Sequence, residues 1–387
     1  NRIYLFTSTT HIDTFILSNP VTIAYLTGLE LSFAEKFPER PVALVIAAGD
    51  GDRASLFICP HEWNEAVLQQ GWDRELASYR DTISDAFEFI AQKAAEFIRA
   101  RTGEKSGTGI EVGIEEEHFP QALAESFQKE LPSAGFSGID DTLRSLIVKK
   151  SEEEVELLRT AAQQVEFGII GALQHLEGSL EDSGYTLSEF CERIRVHIYE
   201  SGGTASGLSA VAAGSRKTVL YGLPRGKFRP GEMVRIEATS RYHGYYAAAS
   251  RMITIGEASD LQARAYAENR LLKDRLTGIL RAGTRCSDIH AEISALARHE
   301  GIDLREEFGL GLGIGTAEKE APYIDPHDTT ELEEGMCMNV AVYTEGPERE
   351  LICSRDTYYI TEEGPVCISR FHNWDELYEV TGFRSAH

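Results

Sequence analysis

The stretch Gly309 to Pro322, GLGLGIGTAEKEAP, sets glycine at every second position and then turns to charge and proline. On an extended segment alternate residues share a face, so the missing side chains bare one side of the backbone for a neighbouring strand or a ligand. A dinucleotide fingerprint is excluded, because the glycine required three places after Gly311-Leu312-Gly313 is Thr316. The six cysteines, Cys59, Cys191, Cys286, Cys337, Cys353 and Cys367, are scattered without a CxxC pair. That is the pattern of reduced core thiols and not of a disulfide framework. His243 lies between Tyr242 and Gly244, on a turn or strand end from which it can reach a cleft.

The elements that must position these residues follow from periodicity and caps. A chain of 387 residues exceeds the roughly 250 to 300 residues of a single core, so two domains are expected, 1–146 and 147–387. The first alternates strand-like runs (Pro41 to Ile46, Ala54 to Ile58) with helical ones such as Asp81 to Arg101, an α/β pattern. At the junction Ser151 with Glu154 forms a capping box, and Val155, Leu158, Ala162, Val165 and Ile169 give the helix one apolar face. Thr186 with Glu189 opens another, buried through Leu187, Phe190, Ile194 and Ile198. Beyond Gly202 the spacing predicts strands at Thr218–Tyr221, Met233–Glu237, Tyr245–Ile255, Gly335–Tyr343 and Asp356–Ile360. Helices at about Ala258 to Leu280 and Ser287 to Glu300 divide them, and an α+β sheet covered on one face is expected.

Charge narrows the partners. The 38 Lys+Arg against 62 Asp+Glu give a net charge of −24, which repels nucleic acid and anionic membranes. No apolar run reaches about 18 residues and no signal-peptide pattern opens the sequence, so a cytoplasmic protein is expected.

Several motifs in order resemble one family. They are Asn19-Pro20-Val21-Thr22-Ile23-Ala24-Tyr25-Leu26-Thr27-Gly28, the Leu143 to Leu158 junction, Arg229 to Glu237, and Tyr242 to Arg251 with Gly256. The glycine stretch, the Glu334-Gly335-Met336 turn, and Arg355 to Thr361 before Gly364 complete the set. Together they resemble the creatinase, prolidase and methionine aminopeptidase group. The resemblance implies a pita-bread carboxyl-terminal domain, a curved antiparallel sheet covered by helices, after a smaller α/β creatinase-type domain. It also implies a homodimer.

The family's metallopeptidases hold two metal ions with five side chains, and the resemblance maps these onto Glu237, Ala248, Leu312, Ala341 and Arg355. Three of these offer no donor and one is a cation, so the resemblance implies a lost metal centre and no cofactor. A further family histidine is matched by Lys319. The metal-independent creatinase set is also changed, with Tyr221, Ser250 and Ala341 at its positions.

The cleft implied by the resemblance keeps Tyr221, Arg225, Glu237, Tyr246, Arg251, Glu320 and Arg355, with Leu312 and His243 beside it. Arg355 supplies a permanent positive charge where relatives keep metal. Two uses are open: a structural ion pair with Glu237, or capture of an anionic group of a small substrate. In the second, Glu237 is the general base and Glu320 or Tyr246 the proton donor, while Tyr221, Arg225, Arg251, Leu312, Arg355 and His243 bind substrate. The expected function is a metal-independent hydrolase or lyase acting on a C–N bond of a small amino-acid-like or guanidino compound, anionic or zwitterionic. The alternatives are an inactive homologue that binds a ligand or peptide, and an Xaa-Pro peptidase with an unrecognised metal site.

Overall fold

Period-two alternation builds the amino-terminal sheet. The computed structural model describes residues 2–48, 53–80, 83–102, 109–179, 185–204, 210–214 and 225–381. It divides into two units, Asn1–Ile147 and Val148–His387. In the first, β1 (Thr14–Leu17), β2 (Ala43–Ala48), β3 (Arg53–Pro60), β4 (Glu75–Tyr79), β5 (Glu111–Ile114) and β6 (Gly135–Gly138) form a mixed sheet ordered β4-β3-β2-β1-β5-β6. Phe15, Leu17, Leu44, Ile46 and Phe57 enter one core, and Ile16, Val45, Leu56 and Ile58 the core on the other face. Burial on both faces explains why these strands read as unbroken apolar runs. The Asn19-Pro20 motif is a helix start: the Asn19 side chain accepts from Val21 N–H at 3.0 Å, and Gly28, at φ 76°, closes the helix Pro20–Thr27.

The second unit opens with the helix Glu152–Ser179. Its capping box is reciprocal, Ser151 N–H donating to Glu154 at 2.9 Å and Glu154 N–H to Ser151 Oγ at 3.3 Å. Val155, Leu158, Ala162, Val165 and Ile169 are all buried. Thr186 and Glu189 cap the helix Leu187–Glu200 in the same way.

The sheet of this unit comprises β7 (Ala210–Ala213), β8 (Met233–Tyr242), β9 (Tyr245–Ile255), β10 (Gly311–Gly313), β11 (Glu320–Tyr323), β12 (Cys337–Glu345) and β13 (Leu351–Thr361). They run β11-β10-β12-β13-β9-β8-β7, each pair antiparallel. β14 (Gly364–Cys367) joins β13, and β15 (Tyr378–Val380) joins β9. β8 runs five residues beyond the expected Glu237, because Tyr242-His243-Gly244-Tyr245 is a two-residue hairpin with φ 45° and 87° at its centre. Positive φ at both central residues matches the twist of paired strands. The strand expected at Thr218–Tyr221 lies outside the described residues.

One face of the sheet is apolar and helix-covered. Ile236, Ala238, Ala249 and Ile253 pack with the helices Glu152–Ser179 and Leu187–Glu200, and Met338, Val340 and Val342 with Asp260–Ile279 and Cys286–Glu300. Alternation sends every intervening residue of these strands to the opposite face.

Candidate functional site

Register on that second face assembles the site. Glu237 pairs with Ser250, Ser250 with Arg355 and Arg355 with Ala341, a single row across β8, β9, β13 and β12. Beside it Thr239 pairs with Ala248, and Asn339 with Leu312. Ala248, Leu312, Ala341 and Arg355 line one cavity of about 160 Å³ with Asn339, Glu318, Lys319, Phe308 and Tyr323. Four residues far apart in sequence thus meet at one cavity, and the fifth, Glu237, lies behind the Arg355 side chain. Asn339 locks two of these strands together, its Nδ2 donating to Ala248 O and Thr357 Oγ1, both at 2.9 Å.

Arg355 is held from behind. Its Nη2 donates to Tyr343 Oη at 2.6 Å and stands 3.4 Å from Glu237 Oε2. Tyr343 Oη in turn donates to Glu237 Oε2 at 3.0 Å, and burial pushes its hydroxyl well above the ordinary range, so it keeps the donated proton. Arg235 Nε lies 2.8 Å from the other Glu237 oxygen. Glu237 is buried: Tyr343 and Arg355 meet its Oε2, and its Oε1 has the charge of Arg235 beside it but, among the described residues, no hydrogen bond. Two guanidinium groups face that one carboxylate, and all three side-chain nitrogens of Arg235 are buried without a hydrogen-bond partner among the described residues.

Glu318 is one of two carboxyls that line the cavity, with Asp325, and the sequence reading missed it. Thr239 Oγ1 donates to its Oε1 at 3.2 Å. Burial raises its pKa, outweighing the pull of Arg355 and the Thr239 hydrogen bond. Glu318 lies in the loop between β10 and β11, whose pairing carries a register shift between Leu312 and Gly313.

The other candidates fall elsewhere. Glu320, expected as a proton donor, is clamped outside the cavity lining: Lys150 Nζ donates to it at 2.6 Å, Ala317 N–H at 2.9 Å and Thr316 Oγ1 at 3.2 Å. Gly315 makes room for this pair, since an added Cβ would meet Lys150 Cε at 2.7 Å and the Glu320 carboxylate at 2.8 Å. Tyr246 stacks beneath Arg241, whose guanidinium lies 5.1 Å from the ring centroid, and does not line the cavity. Arg251, expected to bind substrate, points to the helix-covered face. There it pairs with Glu166 and, at 2.9 Å, with Asp356 Oδ1, and donates to the carbonyls of Ser250, Arg355 and Ser369. Residues 248 and 251 cannot share a face of one strand, which the period of two already implied. His243 is exposed on the hairpin turn against Tyr242, and Arg225 is also exposed. Tyr221 lies outside the described residues.

The donor set does not fit the family's metal pair. Ala248, Leu312 and Ala341 carry no side-chain ligand atom, Arg355 is a cation, and the one remaining carboxylate, Glu237, faces two guanidinium groups. Among the described residues, three clustered His, Cys, Asp or Glu ligand atoms occur at Glu117, His118 and Asp140, on the first unit.

A two-unit chain of this kind, an α/β domain followed by a helix-backed antiparallel sheet, is a pita-bread protein of the creatinase and prolidase type. Residues 156–362 match metallopeptidase family M24 and residues 3–146 match the creatinase/prolidase N-terminal domain, so the chain belongs to family M24. It is 25% identical over 332 residues to the Xaa-Pro dipeptidase of Lactobacillus delbrueckii subsp. lactis, covering 85% of this chain and 84% of that one. It is 23% identical over 311 residues to the creatinase of Bacillus sp. (strain B-0618), covering 76% and 72%. The X-Pro aminopeptidase structure from Thermotoga maritima MSB8 superposes with a TM-score of 0.80 at 19% identity, covering 97% of this chain and 99% of that one.

Proposed function

We propose that this chain is a metal-independent hydrolase that breaks a C–N bond in a small amino-acid-like or guanidino compound whose anionic group is held by Arg355. The observation that carries the reading is the row Glu237, Ser250, Arg355, Ala341, in which a guanidinium lines the cavity at the place to which the resemblance maps a metal-binding glutamate. Such a cation stays charged at all working pH values and can take a carboxylate through two parallel hydrogen bonds. Tyr343 and Glu237 fix its orientation before the ligand arrives, which lowers the entropic cost of binding. The hydrolytic relatives, an Xaa-Pro dipeptidase and a creatinase, support the reaction class.

The test combines elemental analysis with a ligand screen. Full-length protein purified without chelator should carry well under one equivalent of transition metal per chain. Amino acids, guanidino acids, ectoine-like heterocycles and proline dipeptides are then screened by thermal shift, since a specific ligand stabilises by mass action. Hits are followed for hydrolysis in wild type and in Arg355→Gln. Loss of a charged hydrogen bond should weaken the hit about 10- to 100-fold. Turnover that requires stoichiometric zinc, manganese or iron would overturn the reading, and ligand capture without turnover would establish a binding protein instead.

A further inference from the structure

We propose that Glu318 is the residue that exchanges a proton with the bound reactant in this cavity. The inference rests on the hydrolase reading and assigns its chemistry to one group.

Three observations converge on this residue. Glu318 and Arg355 both line the cavity, so an anionic group seated on Arg355 brings the rest of a small molecule to the Glu318 carboxyl. Among the described residues its carboxyl takes a single side-chain hydrogen bond, from Thr239, and so has oxygen lone pairs available for a reactant or water. Two other acids lie outside the cavity lining: Glu237 sits against Arg235, Arg355 and Tyr343, and Glu320 is held by Lys150 and the Thr316–Ala317 turn. Asp325 also lines the cavity, but its Oδ1 accepts the His327 and Asp328 N–H groups of its own turn. Burial also raises the Glu318 pKa above the ordinary carboxylate value, the direction that favours a proton on this group.

The step balances with water as the only co-reactant. The water oxygen forms a bond to carbon and its proton passes to a carboxylate oxygen of Glu318. The C–N bond breaks with its electron pair leaving on nitrogen, and the carboxyl returns one proton to that nitrogen. Glu318 ends in the protonation state in which it began. Thr239 is a positioning residue, holding Oε1 so that Oε2 faces the reactant.

The experiment uses the full chain and the hit from the dipeptide and guanidino-acid panel. Glu318→Gln should lower kcat by about a hundredfold or more, the usual contribution of general acid–base catalysis, with KM little changed. It should also remove one limb of the kcat/KM pH profile. Glu318→Ala should be partly rescued by added formate, which a purely structural role would not allow, and both variants are checked for wild-type circular dichroism and Tm. Wild-type turnover that persists in Glu318→Gln with an unchanged pH profile overturns the assignment while leaving the hydrolase reading intact. Absence of turnover on every compound in wild type overturns both.

Discussion

Glu318 is half-buried with one donor, Thr239, and its carboxyl titrates upward on folding because burial penalises the charged form more than Arg355 favours it. The linkage has a definite sign. A carboxyl whose folded pKa exceeds its unfolded value contributes stability that is fully present below the unfolded pKa, and that is lost as pH rises through the folded one. Wild type and Glu318→Gln should therefore be closest in stability near pH 4, and the glutamine variant should gain in relative Tm as pH rises toward 8. A difference that stays flat, or that favours wild type at high pH, would contradict the direction of the shift. The same scale separates Arg355 from Arg251: both are arginines on neighbouring strands, yet one faces the cavity and the other is neutralised by Glu166 and Asp356 under the helices.

At the scale of elements, the short strand β10 answers the question raised by its glycines. An added Cβ at Gly313 would lie 2.3 Å from the Ala321 carbonyl oxygen, and at Gly311 3.1 Å from Asn339 O. The bare face is therefore occupied by the backbones of β11 and β12 while Leu312 turns toward the cavity. Gly313→Ala should cost about 1–3 kcal/mol by overpacking, read from urea denaturation, and should disturb the nearby cavity. On the helix-covered face, Asp356 is enclosed by Arg251, Lys273 and Arg370. Burial alone would raise its pKa, but these three cations hold the carboxyl well below the usual range. Its stabilisation is present above the ordinary carboxylate pKa and fades as pH falls through the much lower folded value. Asp356→Asn, which strands buried cations, should cost about 3–5 kcal/mol at pH 7. That penalty should shrink in strong acid.

For the whole molecule, the two units keep separate cores. One surrounds the six-stranded sheet of residues 1–147, and the other lies between the second sheet and its helices. Calorimetry should resolve two transitions, with Asp356→Asn lowering only the one that belongs to residues 148–387. A single cooperative transition lowered as a whole would show that the units unfold together. The net charge of −24 adds self-repulsion, which salt should relieve. No helix among the described residues is long and apolar enough to cross a membrane.

The sequence by itself determined the elements and the family. Apolar periods marked the helices from Glu152 and Leu187, reciprocal caps at Ser151 and Thr186 marked where they start, and the order of glycine and proline motifs carried the resemblance. These signals are local, so a linear reading captures them. The resemblance mapped Ala248, Leu312, Ala341 and Arg355 to one cleft, and these four line a common cavity. Tertiary structure decided the chemistry. The loop between β10 and β11 puts Glu318 in the cavity lining while Glu320 pairs with Lys150, and long-range packing sets Tyr343 and Arg355 against Glu237. Which carboxyl meets a ligand depends on such non-local neighbours, since desolvation and pairing are properties of the assembled site and not of residue type or spacing.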